Sequence, residues 1–140
     1  MDLISFTLPG QPIGKPKKFN RHSGVGYNDK ETTQYMHALG IVAKVAMAGR
    51  EPFDGPVKME VWALYEIPPS WPKYKRADAV TGSVLPTCPP DYDNVCKTIG
   101  DALKGIVWRD DSVIVDVRFL KRYGVKPQLV INVEAVKGGG

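Results

Sequence analysis

Pro89-Pro90-Asp91-Tyr92-Asp93-Asn94-Val95-Cys96-Lys97-Thr98-Ile99-Gly100-Asp101-Ala102-Leu103-Lys104-Gly105 is the stretch on which the fold turns. Wound at about 100° per residue, it puts Val95, Ile99, Ala102, Leu103 and the following Ile106 within one sector, a core face. Asp93, Asn94, Lys97 and Asp101 fill a second, polar sector. The stretch predicts one short helix over 92–104, closed by Gly105, with Asp91 as N-cap and one of its oxygens directed outward. Two strands are expected after it, about 112–121 and 128–136, joined by a turn at Tyr123-Gly124 and antiparallel because the connection is short.

Upstream, residues 57–67 alternate Val57, Met59, Val61, Ala63, Tyr65 and Ile67 with Lys58, Glu60, Trp62, Leu64 and Glu66, which reads as a strand. Residues 68–90 hold many prolines and a basic group and read as a long loop, functional or mobile. A helix over about 30–48, capped by Asn28 or Asp29, carries the stripe Tyr35, Leu39, Val42, Ala43 and Ala46. A strand at 2–8 ends at Pro9-Gly10, and 10–28 reads as an ordered loop. The order β-α-β-α-β-β cannot alternate a helix with every strand. An α+β, two-layer arrangement with a mixed sheet follows, as one domain over 1–140 with a disordered glycine tail at 138–140.

The polar sector carries the chemistry. Asp91 and Asp93 form one acidic group and Asp110 and Asp111 another, just before a strand. Neighbouring carboxylates repel and lose hydration unless a cation or proton offsets them. Three of them with water supply the oxygen ligands that Mg²⁺ prefers, with Mn²⁺ as a substitute. Adjacent residues at a strand start point different ways, so one of Asp110 and Asp111 is expected to reach the cluster. Lys97, spaced i,i+4 from both Asp93 and Asp101, can offset charge on a phosphate or protonate a leaving group. Such a kit hydrolyses phosphodiesters. The plainer account is a helix cap, a first-turn acid favouring the macrodipole, surface ion pairs and a turn. A calcium EF-hand does not fit: Val95, Cys96 and Ala102 stand where an oxygen ligand, the turn glycine and the bidentate Glu belong.

The formal net charge is +4 and the sequence pI about 9.1. Basic residues gather as Lys15, Lys17, Lys18, Arg21 and His22, then Lys73, Lys75 and Arg76, then Lys121 and Arg122. Around an acidic metal site such groups suit a phosphate-backbone partner. Cys88 and Cys96 match no zinc spacing and are too few for a disulfide framework. No apolar run reaches the roughly 20 residues of a membrane span, so a reduced, cytoplasmic protein without a membrane partner is expected. Trp62 is a candidate dimer contact and Trp71 a candidate base-stacking residue. His37 reads as an ordinary helix-surface residue.

Pro90-Asp91-Tyr92-Asp93-Asn94, Lys97, Asp101-Ala102-Leu103-Lys104-Gly105 and Asp110-Asp111-Ser112 resemble the motif of the RusA family of Holliday-junction resolvases. Pro69-Ser70-Trp71-Pro72-Lys73 with Lys75-Arg76 is similar to that family's basic loop. Gly10-Gln11-Pro12 with Lys15 and Tyr27 resembles its N-terminal stretch, with Lys15-Pro16-Lys17-Lys18-Phe19 in place of an arginine-rich run. The resemblance implies a metal-dependent, structure-selective endodeoxyribonuclease of recombination and repair, common in phages and prophages. It implies a homodimer that cuts two strands of a four-way DNA junction. It makes Asp91, Asp93 and Asp111 metal-binding catalytic carboxylates and Lys97 the catalytic lysine, with Asp110 and Asp101 in support. Lys15, Lys17, Lys18, Arg21, Lys73, Lys75 and Arg76 become the candidate DNA contacts. The rival reading is a non-catalytic junction- or nucleic-acid-binding protein that keeps the fold.

Overall fold

The computed structural model describes residues 3–137, so the expected disorder of 138–140 lies outside the described residues. The elements run β1 (Leu3–Pro9), β2 (Lys18–Phe19), β3 (Gly26–Tyr27), α1 (Lys30–Met47), β4 (Val57–Glu66), α2 (Lys73–Thr81), α3 (Tyr92–Leu103), a 3₁₀ turn (Asp111–Val113), β5 (Ile114–Gly124) and β6 (Gln128–Ala135). The α+β class and the mixed sheet are as expected. Four strands lie in the order β1-β6-β4-β5, and β2 and β3 form a separate ribbon. Within the sheet β1/β6 and β6/β4 are antiparallel, whereas β4/β5 is parallel.

Alternation along β4 explains the layering. Val57, Met59, Val61, Ala63 and Tyr65 are buried on one face, joined by Ile4, Phe6 and Leu8 of β1 and Leu129, Ile131 and Val133 of β6. Tyr35, Leu39, Ala43 and Met47 of α1 and Val95, Ile99 and Leu103 of α3 cover that face and complete the core. Burying a side chain of this size contributes about 1.5–3 kcal/mol, so the apolar stripe, more than local propensity, holds α3 in place. The Asp29 carboxylate caps α1 by accepting from Thr32 N–H at 2.7 Å, and Ala48 ends it with a left-handed φ of 51°.

Three expectations need correcting. The stretch 10–28 is not all loop, because Lys18–Phe19 and Gly26–Tyr27 pair as the antiparallel β2–β3 ribbon. Strands β5 and β6 run antiparallel as expected, but they do not pair: β4 lies between them, hydrogen-bonded to both. The short link 125–127 therefore steps over the end of β4, while Tyr123 and Gly124 still belong to β5. Gly124 makes the step feasible, because a Cβ there would stand 2.9 Å from Leu64 Cβ and from the Lys126 carbonyl oxygen. The segment 68–90 is not all loop; it contains α2, which packs against β5. Among the residues of α2 only Ala79 is buried, so the helix has no apolar stripe to betray it.

Candidate active site

Helix α3 starts where β4 ends. The Tyr65 hydroxyl donates to the Pro90 carbonyl at 2.6 Å, tying the cis Pro89-Pro90 segment to the sheet. Burial pushes the Tyr65 phenol well above its ordinary range, with Cys88 and Asp91 adding to the shift, so the group stays a donor. From the other side, Gly14 lies on the first turn of α3: a Cβ at that position would meet Val95 N at 2.5 Å and Asn94 C at 2.7 Å. Two loops thus fix the backbone around Asp91. Between them lies a cavity of about 610 Å³, lined by 9–16, Tyr35, Pro89, Pro90, Asp91 and Asn94.

Asp91 is the N-cap residue of α3, but its side chain makes no capping hydrogen bond. Asp91, Asp93, Lys97 and Asp101 are all exposed, and none takes a hydrogen-bond or ion-pair partner among the described residues. The i,i+4 spacing of Lys97 from Asp93 and Asp101 does not produce ion pairs. Four charged side chains along two turns of helix are left to solvent or to a ligand.

Of the second acidic pair, Asp111 is the one laid against α3. Its Oδ1 accepts from the Trp108 indole Nε1–H at 2.9 Å. Its Oδ2 lies 3.1 Å from where a Cβ on Gly100 would be. Seven residues separate Gly100 from Asp93, two turns less about 20°, so Asp111 sits on the flank of α3 that carries Asp93. Along the axis the two positions are about 10 Å apart. Asp110 turns elsewhere: it accepts from Ser112 N–H at 3.1 Å and pairs with Lys104 at 3.2 Å. Those contacts, the Ser112 hydrogen bond first, hold its carboxyl down at about 2.

The donor chemistry suits a hard dication, since the carboxylates of Asp91 and Asp93 are free and Asp111 has a second oxygen to offer. Yet among the described residues no three carboxylate, imidazole or thiol groups gather closely enough to hold a metal. In this conformation the carboxylates make a strip along α3 rather than a closed cage.

The basic residues flank that strip. Lys17, Lys18, Arg21 and His22 are exposed on or beside the β2–β3 ribbon. A groove of about 460 Å³ separates the ribbon from α3, with Lys15, Lys17 and Phe19 on one wall and Lys97, Thr98 and Asp101 on the other. Lys15 is already engaged, with Glu31 at 2.7 Å and Asp29 at 3.6 Å. The Glu31 hydrogen bond pushes its ammonium above the usual lysine range. Lys73 and Arg76 project from α2, whereas Lys75 covers the Trp71 ring at 3.9 Å. Trp71 also meets Tyr123 edge-on at 5.4 Å, so it is anchored within its own chain. Lys121 donates to the Cys88 carbonyl at 2.8 Å, and Arg122 to the Lys121 carbonyl at the same distance. Trp62, on the sheet face away from the helices, donates to Glu60 at 2.9 Å. His37 is exposed on α1. Burial, with Asp93 adding to it, raises the Cys96 thiol and keeps it protonated.

Gly14, Tyr65, Gly100 and Trp108 are the site-building residues that sequence reasoning missed. Only Trp108 left a signal, an aromatic three residues before the second acid of the pair.

A sheet with one helical layer and an acidic strip flanked by basic elements belongs to a recognised class. The family described as endodeoxyribonuclease RusA matches residues 9–134, from the end of β1 into β6, and this chain is a member of it. The chain is also 34 % identical to YqaN of Bacillus subtilis (strain 168), described as an uncharacterised protein, over 142 residues that span 97 % of this chain and 99 % of that one. Among the described residues no helix is long and apolar enough to cross a membrane.

Proposed function

We propose that this protein is a metal-dependent, structure-selective endodeoxyribonuclease that hydrolyses phosphodiesters at four-way DNA junctions. The observation that carries the reading is the set Asp91, Asp93 and Lys97, at the cap and on the first turns of one helix, exposed and with side chains unpartnered among the described residues. Surface charges serving only stability would pair with one another, as Lys104 and Asp110 do next door. Family membership supplies the substrate class.

Asp91, Asp93 and Asp111 are the residues that would hold Mg²⁺, or Mn²⁺ in its place. Such an ion, when bound, supplies a nucleophilic water at neutral pH and polarises the phosphoryl oxygens. Lys97 offsets charge that develops on the phosphate and gives a proton to the departing oxygen. Lys17, Lys18 and Arg21 on the ribbon side and Lys73, Lys75 and Arg76 on the α2 side hold the backbone of the DNA arms, which sets position without reading sequence. Two copies of the chain, one site in each, account for paired symmetric cuts. Asp101 lines the groove opposite Lys17, and Asp110 anchors the turn that carries Asp111.

The spacing of the carboxylates, with no three ligating groups close enough to hold a metal among the described residues, favours a second reading, a junction-binding protein without catalysis. A cleavage assay separates the two. Purified protein in Mg²⁺ is expected to nick a labelled synthetic four-way junction and to leave a linear duplex of the same sequence intact, with chelation stopping the reaction. Junction binding without any divalent-cation-dependent nick would leave only the binding reading.

Lys15 gives a further expectation. Glu31→Gln removes the charge of its 2.7 Å partner and leaves only the longer 3.6 Å pair with Asp29, so the ammonium is easier to draw to a phosphate. Junction affinity at low salt should rise a few-fold, and the slope of log K against log salt should steepen by about one counterion at most. An unchanged slope would show that Lys15 does not reach the DNA.

A further inference from the structure

Two buried side-chain polar atoms have no hydrogen-bond partner among the described residues, the hydroxyls of Thr32 and Tyr35. Of the two, only Tyr35 lines the cavity of about 610 Å³ beside Asp91. Tyr35 keeps 8 % of its surface exposed, and burial raises its phenol to about 12, so the hydroxyl holds its proton. The Ile13 backbone lines the same cavity and comes near enough to favour the phenolate, which places the hydroxyl at the cavity wall. No hydrogen bond of ordinary geometry forms there. A buried donor left unpaired is costly, and it calls for an acceptor.

The rest of the lining is largely apolar and rigid. Pro9, Pro12, Pro16, Pro89 and Pro90 contribute to it, and proline has a fixed φ and no N–H to offer a ligand. Tyr65 ties Pro90 to the sheet and Gly14 lies against the first turn of α3, so both sides are held. Other polar groups on the wall are already engaged: Gln11 accepts from Glu66 N–H at 2.8 Å, and Lys15 pairs with Glu31 at 2.7 Å. The Asn94 amide takes no partner among the described residues. Its donor and acceptor, side by side, match the edge of a nucleobase. A mostly apolar cavity of roughly 300–1,000 Å³ with a few convergent polar groups is the usual make-up of a small-ligand site. Lys15, Pro16 and Asn94 also line the groove that holds Lys17 and Lys97, so the cavity and the basic groove adjoin.

We propose that the cavity takes one unpaired base of a junction strand whose phosphates lie in the adjoining groove, with the Tyr35 hydroxyl and the Asn94 amide hydrogen-bonded to its edge. The inference rests on the reading of this protein as one that binds DNA junctions, and it needs no bound cation. Taking a base out of the stack costs least where pairing is already disturbed, as at a branch point. Such a cavity would therefore favour a junction over linear duplex by itself.

Tyr35→Phe deletes the hydroxyl and keeps the ring, whereas Asn94→Ala deletes the amide and leaves the hydroxyl. Affinity for a synthetic four-way junction, measured in chelator, should fall about fivefold in each, the worth of one hydrogen bond. Tyr35→Phe should melt no lower than wild type, because the free protein loses no bond with that hydroxyl. Junctions carrying an abasic site, moved one nucleotide at a time through the branch, make the matching deletion from the DNA side. At one position the missing base should weaken wild type several-fold, and there Tyr35→Phe should cost nothing further. If both variants bind the intact junction as wild type does, or lose the same factor at every abasic position, the cavity takes no base. If free nucleoside monophosphate binds in a Tyr35-dependent way while junction binding ignores the substitution, the cavity is a mononucleotide site and the proposal is overturned. If wild type binds junction and linear duplex equally well, the junction reading falls, and this proposal with it.

Discussion

Asp91→Asn and Asp93→Asn should each reduce junction cleavage in Mg²⁺ by more than about a thousandfold, beyond the roughly 10–100-fold that loss of a mere supporting partner costs. The amide keeps the size of the side chain but removes the anionic oxygens a hard dication requires. Stability should hardly move, because both residues are exposed and neither side chain caps the helix nor pairs with a cation. Junction affinity without metal should hold or rise about two- to threefold, since one negative charge facing a polyanion is gone. Single-turnover cleavage and a gel-shift titration in chelator measure the two effects apart. Cleavage that survives both substitutions would show that these carboxylates do not serve the reaction.

Gly14→Ala should be the most destabilising single-methyl change in the N-terminal loop. The added Cβ would stand 2.5 Å from Val95 N, 2.7 Å from Asn94 C and 2.8 Å from Val95 Cα. All three are backbone atoms of α3, so no side chain can rotate out of the way. Either the loop lifts off or the helix shifts, at a cost of about 3 kcal/mol, the upper end of ordinary overpacking. For a chain of this length that corresponds to a drop of roughly 10 °C in Tm. Gly55 provides the control: a Cβ there meets nothing within 4 Å, so Gly55→Ala should be neutral or stabilise by about 0.5 kcal/mol through the unfolded chain. Equal melting points for the two variants would contradict the close approach of loop and helix.

Local pattern made most of the elements legible. The apolar stripe of Val95, Ile99 and Leu103 placed α3, and strict alternation from Val57 to Tyr65 placed β4, because burial on one face imposes those periods directly. Strand order was not legible. The link 125–127 is short enough for a hairpin, and nothing local says that β4 slides between β5 and β6; that follows from pairing between distant segments. Helix α2 was hidden by its sequence, Lys-Tyr-Lys-Arg-Ala-Asp-Ala-Val-Thr, which buries one alanine and shows no period. In the candidate site, residue type exposed the acids and Lys97. Their spacing along α3, and the parts of Gly14, Gly100 and Trp108, depend on which backbone meets which, and a linear pattern does not carry that information.

Parallel pairing of β4 with β5 has a consequence for how this molecule can vary. Asp91, Asp93, Lys97, Trp108 and Asp111 all fall in the single excursion the chain makes between leaving β4 at Glu66 and entering β5 at Ile114. The two strands are locked side by side from Val57↔Ile114 to Glu66↔Gly124, which pins both feet of that excursion. Lengthening or shortening the stretch around α2 would then reshape the basic surface beside the acidic strip while both acidic groups keep their footing, so that surface is free to vary without rebuilding the strip itself.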